Sequence, residues 1–206
     1  MFLSEEKQMP VDVRLARLED APILDQVLAD SFFDEPVNAY FFPDTDRRKA
    51  ATKIGMGYAL REMYLPKDGA WTTGDLDGVA MWNKPGDPKP SVLRQLRGLP
   101  TMARAFRGRL PKALAAFGAA DKLRPIEPHW HLDIVGVSPD RQGLGIGSAL
   151  VKVGLDEADR AGVPAFLVTS DAPNVPFYEH LGFAVTEEFD IGPVHGWAML
   201  RTPQPE

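Results

Sequence analysis

The sequence predicts a mixed α/β fold: a mostly antiparallel sheet with one parallel strand pair near its centre, flanked by helices. Three observations carry that expectation. The first half reads strand, helix, helix, strand, strand, and its last two strands are separated only by Gly74 to Gly78, as in a hairpin. From His129 the order becomes strand, helix, strand, helix, strand, strand, and a strand–helix–strand unit lays its two strands parallel. The composition is that of a packed domain, with 44% hydrophobic and 25% charged residues over 206 positions. A single domain over residues 1–206 is expected, large enough to bury a core without staples.

Taken in order, Val11, Val13 and Leu15 alternate with polar residues, the period of a half-buried strand. Asp20 is placed to cap a helix that has Pro22 in its first turn and Ile23, Leu24, Val27 and Leu28 at helical spacing. Asp34-Glu35-Pro36 ends it, and a second helix is expected over Arg47 to Tyr64. Short strands follow at Ala70 to Thr73 and Val79 to Trp82. Residues 88–127 hold nine Lys or Arg and two acids, punctuated by Pro88, Pro90, Pro100, Pro111 and Pro125. They read as a basic helical insertion of short helices between prolines. It is either a solvated face over the core or a lid for anionic groups.

His129 to Val137 is a strand closed by Ser138-Pro139-Asp140. After a glycine-rich turn, Ile146, Ala149, Leu150 and Val153 mark an amphipathic helix that stops near Gly162. Ala165 to Thr169 is an apolar strand suited to a sheet centre. Asn174 to Leu181 is a brief helix stopped by Gly182, and Phe183 to Phe189 and Gly196 to Leu200 close the sheet.

The turn Gln142-Gly143-Leu144-Gly145-Ile146-Gly147-Ser148 leads from a strand into a helix. A helix start offers unpaired N–H groups and partial positive charge, and glycines let backbone approach an anion. Such a turn is either a tight connection or a pyrophosphate site. No Lys-Ser/Thr pair follows the glycines, which excludes a Walker loop, and the spacing is not G-x-G-x-x-G. The turn also comes after several strands, whereas a dinucleotide fingerprint opens its fold.

Two motifs around this turn resemble those of the GNAT superfamily of acetyltransferases. One is Val137-Ser138-Pro139 followed by Gln142-x-x-Gly145-x-Gly147; the other is Phe177-Tyr178-Glu179-His180-Leu181-Gly182-Phe183. The resemblance implies a twisted sheet splayed at its central parallel pair, with acetyl-CoA as cofactor. It also implies direct transfer of an acetyl group to a primary amine. It implies that the backbone from Gly143 through Leu144, Gly145, Ile146 and Gly147 to Ser148, with Gln142, holds the cofactor. The strand edge Val135-Gly136-Val137 would offer a donor to the thioester oxygen. Tyr178 matches the family's general acid, and a phenol can donate at neutral pH; otherwise it is a core tyrosine. Asn174, four residues earlier, is expected to contact the cofactor or else to cap its helix.

For the base, His131 and Asp133 share one strand face, and a mid-strand aspartate runs against propensity. The resemblance implies that one of them deprotonates the amine; otherwise His131 is a satisfied sheet histidine and Asp133 a turn or pair partner. Asp34 and Glu35, beside Phe32, Phe33, Tyr40, Phe41 and Phe42, line an acceptor pocket or form a loop over core aromatics.

The absence of cysteine excludes a disulfide, a thiolate nucleophile and a Cys-based zinc site, and no metal is expected. A net charge of −6 argues against nucleic acid as partner. No long apolar run predicts a membrane span, and Met1 to Pro10 carries no leader-like apolar stretch, so a cytoplasmic protein is expected, monomeric or homodimeric. The acceptor expected is a small amine, an aminonucleoside-type antibiotic being one of that kind. The alternatives are a protein or peptide N-acetyltransferase and a non-catalytic acyl-CoA-binding module.

Overall fold

A computed structural model of the chain describes residues 11–87 and 92–204. The Met1 to Pro10 stretch, Pro88 and Pro90 lie outside them. The strands are β1 (Val13–Leu15), β2 (Ala70–Thr73), β3 (Gly78–Asn83), β4 (Trp130–Val137), β5 (Ala165–Thr169), β6 (Ala184–Ile191) and β7 (Val194–Arg201). They form one seven-stranded sheet in the order β1-β2-β3-β4-β5-β7-β6. Every pairing is antiparallel except β4 with β5. That pairing is short, running from Trp130↔Ala165 to Leu132↔Leu167. Beyond it, Ile134 to Val137 pair with β3 alone, so the sheet opens between β4 and β5 as the motifs imply.

The helices are α1 (Ala21–Ser31), α2 (Pro36–Phe41), α3 (Thr45–Ala59), α4 (Val92–Phe106), α5 (Leu110–Asp121), α6 (Ile146–Ala161) and α7 (Asn174–His180). On one face of the sheet, α6 buries Ile146, Leu150, Val151, Leu155 and Ala158 against Trp82, Trp130 and Leu132. Burial of each large aliphatic side chain contributes about 1.5–3 kcal/mol. Gly154 lies so close to the Trp82 indole that a Cβ there would meet its ring at 2.3 Å. On the other face, Leu24 and Leu28 of α1 pack with Leu60, Tyr64, Val79 and Met81. None of the described helices is long and apolar enough to cross a membrane.

Two local expectations change. Asp20 stands before α1 but makes no side-chain cap. Its carboxylate accepts instead from Arg14, at 2.7 and 3.0 Å, and from the Arg17 N–H at 2.7 Å, because a guanidinium fork outcompetes a single backbone donor. The insertion is not a series of short helices between prolines: α4 runs through Pro100. Pro100 is on the exposed side, while Ala105 and Phe106 anchor the helix end against Phe41, Phe42 and Ala113. Pro111 starts α5, where its missing N–H costs nothing. Arg97, Arg104, Arg107, Arg109, Lys112 and Lys122 face solvent, whereas Arg124 turns inward to β4.

The sheet's far end is tied by Arg201, which donates to both oxygens of Asp159 at 2.7 and 2.8 Å and to the Leu181 carbonyl at 3.1 Å. Arg201 holds the Asp159 carboxyl below its ordinary pKa. The stability from this pair is therefore complete above the unfolded carboxyl value of about 3.9 and is lost as pH falls through the lower folded value. Arg201→Met is expected to cost about 2–3 kcal/mol at pH 7. Urea unfolding at pH 7 and at pH 2.5 checks it; an undiminished difference at the lower pH would contradict the ionic origin.

Candidate active site

The glycine turn has the conformation its composition demands. Gly143 and Gly145 have φ of 77° and 78°, values where a side chain would be strained. Gly145 immediately precedes α6, and the helix's first bond runs from the Ala149 N–H to the Gly145 carbonyl. The N–H groups of Ile146, Gly147 and Ser148 thus have no helical acceptor. Residues 142–145 are exposed, while Ile146 sends its side chain into the core. Gln142 does not extend outward: its amide donates to the Val137 carbonyl at 3.2 Å and fastens the turn to the end of β4.

Along β4 the backbone changes phase once. The register runs Met81↔Ile134 and then Trp82↔Leu132, leaving Asp133 as an extra residue without a partner on β3. Before this bulge, the Trp130 N–H points toward β5 and donates to the Pro164 carbonyl at 2.9 Å. After it, the Ser138 N–H points the other way and donates to Asp77 at 2.8 Å. Alternation then turns the N–H groups of Val135 and Val137 into the opening between β4 and β5. These are the two positions expected to offer a donor there. At Gly136 the α1 face of the sheet is closed, since a Cβ there would collide with Ser31 Oγ at 2.4 Å.

Asp133 sits at the vertex of the opening. Its Oδ2 accepts from the Tyr64 hydroxyl and from the Asn83 amide. Its Oδ1 faces Arg124 Nη2 and His131 Nε2, each at 3.2 Å. Lys67 donates to Asn83 Oδ1 at 3.2 Å and so orients the amide. Tyr64 reaches β4 because α3 ends in a wider π turn, Leu60–Tyr64. Burial first, then the neighbouring Asp133, raises the Tyr64 pKa and keeps it a phenol donor. Burial lowers His131 to about 4 against the pull of Asp133, so the imidazole is neutral. Its Nδ1 is buried without a partner among the described residues. A proton on Nε2, facing the carboxylate, leaves only an acceptor orphaned there. His131 and Asp133 do meet, as their shared face predicts, but only Asp133 carries charge. Tyr64, Asn83 and Arg124 escaped sequence reasoning; the signal that something must satisfy Asp133 was its mid-strand position.

Tyr178 is buried between Phe177 and Phe183, with ring centroids at 5.1 and 6.0 Å. Burial, then the charge of Asp171, raises its pKa above the usual phenol value. Its hydroxyl has no hydrogen-bond partner among the described residues. Phe177 lies next to Gly147, so α7 and the start of α6 adjoin. Asn174 is exposed and donates to Asp171 Oδ2 at 3.1 Å, which leaves its amide oxygen outward.

The loop from Phe32 to Phe42 divides the expected acceptor residues. Asp34 is exposed beside Arg48 at 3.6 Å. Glu35 reaches the sheet and accepts from Ser170 Oγ, just past β5. Tyr40 packs on the turn between β6 and β7, where a Cβ on Gly192 would meet its Oη at 2.6 Å. Phe41 and Phe42 are core, packed on Phe106 at 5.8 and 4.9 Å.

A glycine turn with two left-handed residues, free N–H groups at a helix start and two inward N–H groups on a splayed strand fit a pyrophosphate joined to an acyl group. The comparisons agree. An uncharacterized N-acetyltransferase of Schizosaccharomyces pombe is 30% identical over 203 residues, covering 87% of this chain and 78% of that one. The solved structure titled histone acetyltransferase HPA2 and related acetyltransferase, from Corynebacterium glutamicum, superposes with a TM-score of 0.74 at 23% identity, covering 96% and 99%. A PaiA N-acetyltransferase from Thermoplasma acidophilum, solved with coenzyme A, shares the fold at a TM-score of 0.56 and 15% identity, covering 94% and 99%. The profile of the Acetyltransferase (GNAT) family matches residues 76–183, more than half of the chain. The chain therefore belongs to the acetyltransferase (GNAT) family, whose acetyl donor is acetyl-CoA.

Proposed function

We propose that this protein is an N-acetyltransferase acting on the primary amine of a small molecule, by direct attack within a ternary complex. The observation that carries the small-molecule reading is the strap formed by residues 32–42. It is bonded to the end of β5 through Glu35 and Ser170 and packed on the β6–β7 turn through Tyr40. A strap tied at both points would obstruct an extended peptide more than a compact amine.

When bound, acetyl-CoA supplies an activated thioester. The N–H groups from Gly143 to Ser148 hold its pyrophosphate, and the outward Asn174 amide meets its pantetheine arm. The Val135 and Val137 N–H groups steady the oxygen that gains charge, and Tyr178 protonates the departing sulfur. Asp133, with neutral His131 at its shoulder, is a fixed negative charge at the vertex that favours a cationic acceptor.

Short stretches of the C-terminal third, among them Val135 to Gly143 and Asn174 to Phe183, resemble puromycin N-acetyltransferase, which motivates testing aminonucleosides. The experiment is thiol release from acetyl-CoA with puromycin, phenethylamine, an aliphatic diamine and short peptides with free N-termini. Turnover of one or more small amines at least about tenfold above the peptides is expected, a gap of about 1.4 kcal/mol. Preference for peptides overturns the small-molecule reading. No turnover alongside tight CoA binding would instead indicate a non-catalytic acyl-CoA module.

A further inference from the structure

The two carboxylates that approach the opening between β4 and β5 are not equivalent. Asp133 is hydrogen-bonded by Tyr64 and Asn83 and ion-paired with Arg124. Both of its oxygens are thus already engaged by these donors. It also sits one residue past the last parallel pair, Leu132↔Leu167, at the closed end of the splay.

Glu35, half-buried as Asp133 is, differs in its partners: it has no cationic partner among the described residues. One oxygen accepts from the Asn38 N–H at 2.7 Å, and the other accepts from Ser170 Oγ. Both donors are neutral, and a serine hydroxyl can rotate away or turn acceptor. Ser170 directly follows Thr169, the last residue of β5, and the parallel pairing has already ended at Leu132↔Leu167. The Glu35 carboxylate, held by Ser170, therefore reaches the β5 side of the opening.

Its placement is built in. The Asn38 amide donates to the Phe32 carbonyl at 2.7 Å, and Thr52 donates to Asn38 Oδ1 at 3.0 Å. Arg48, buried, donates to Phe42 and Phe33 carbonyls at 2.8 and 3.1 Å and lies 5.1 Å over the Phe33 ring. Side chains of α3 thus brace both ends of the strap, beyond what a six-residue helix alone requires.

We propose that Glu35, not Asp133 or His131, takes the proton from the acceptor ammonium, with Ser170 as the hydroxyl that yields its place or relays the proton. This rests on the acetyl-transfer reading above. The ammonium loses two protons overall. One passes to the Glu35 carboxylate and on to water, leaving a neutral amine whose lone pair forms the C–N bond as the thioester C–S bond breaks. The other, released as the amide forms, balances the proton that Tyr178 gives to sulfur. Arg48 is a positioning residue for Glu35.

The test is Glu35→Gln, which keeps an oxygen to accept from Asn38 and hence keeps the cap. The acceptor is the fastest member of the amine panel, assayed from pH 6 to pH 10. An alkylammonium of pKa about 10 is neutral in only about one part in 10³ at pH 7. The variant's kcat/KM is expected to fall about 100-fold at pH 7 and to recover to within about fivefold of wild type at pH 10. With a weakly basic arylamine, already neutral at pH 7, the loss is expected to stay within about threefold. Arg48→Lys is expected to give a smaller loss with the same recovery. CoA affinity and thermal midpoint, unchanged, separate this from misfolding. A wild-type rate for Glu35→Gln at pH 7 overturns the proposal, as does the pH-rescued loss appearing in Asp133→Asn but not in Glu35→Gln. Wild-type protein that turns over no amine would instead defeat the acetyl-transfer reading.

Discussion

Replacing Tyr178 with phenylalanine is expected to lower kcat by about 10³-fold while leaving the fold and the CoA affinity nearly intact. The phenol is buried between Phe177 and Phe183, and its ring does the packing. No hydrogen bond to a described residue is lost with the hydroxyl, so the stability change should stay within about 1 kcal/mol. The raised pKa gives this prediction a second edge. A phenol held above its ordinary value stays protonated throughout the neutral range, so wild-type kcat should show no fall from Tyr178 ionisation below about pH 10. A departing thiolate, with a free pKa of about 8.5, gains most from a donor at low and neutral pH. The Tyr178→Phe deficit should therefore narrow as pH rises above that value. Steady-state kinetics from pH 6 to pH 10, beside a CoA titration by calorimetry, decide it. A kcat within fivefold of wild type across that range would remove Tyr178 from the chemistry and leave it a core residue.

The glycine turn was legible in the sequence because its determinants are local. Glycines at 143 and 145 are required by their own φ angles, and the helix after them is announced by Ile146, Leu150 and Val153. The cluster around Asp133 and the strap at Glu35 are assembled from residues distant in the chain. Tyr64 and Asn83 reach Asp133 from 69 and 50 positions away, and Glu35 meets Ser170 from 135 away. No periodicity encodes such meetings. The bulge at Asp133 was hidden too, since the residues around it read as plain alternation, yet it turns Val135 and Val137 toward the opening. Asp20 failed as a cap for a related reason. Its local reading was sound, but Arg14, six positions away across the turn from β1, offered a stronger partner. Local chemistry is decided by the residues that carry it, whereas buried polar groups are decided by whichever partner the topology delivers.

Substitutions in the glycine turn should separate folding from cofactor binding. Gly145→Val places a β-branched side chain at φ 78°, at a strain of about 1–3 kcal/mol, and projects it among the N–H groups of the helix start. CoA affinity is expected to fall at least about 100-fold, or about 2.7 kcal/mol, together with a lower thermal midpoint. That result alone would leave open whether the turn binds or merely folds. Gly147→Ala resolves the matter, because Gly147 lies inside α6 without a positive φ. Its added Cβ would meet Phe177 at 3.6 Å and Val137 at 3.7 Å, ordinary contacts. An alanine in a helix should raise stability by about 0.5–1 kcal/mol over glycine. If the pyrophosphate is held at this turn as proposed, the added methyl should lower CoA affinity about tenfold even as the protein becomes more stable. Opposite signs in thermal unfolding and calorimetry are the expected pair. If Gly147→Ala bound CoA as wild type does, the closest approach of the cofactor would lie elsewhere on the turn, at Gly143 and Gly145, whose left-handed conformations no other residue adopts without strain.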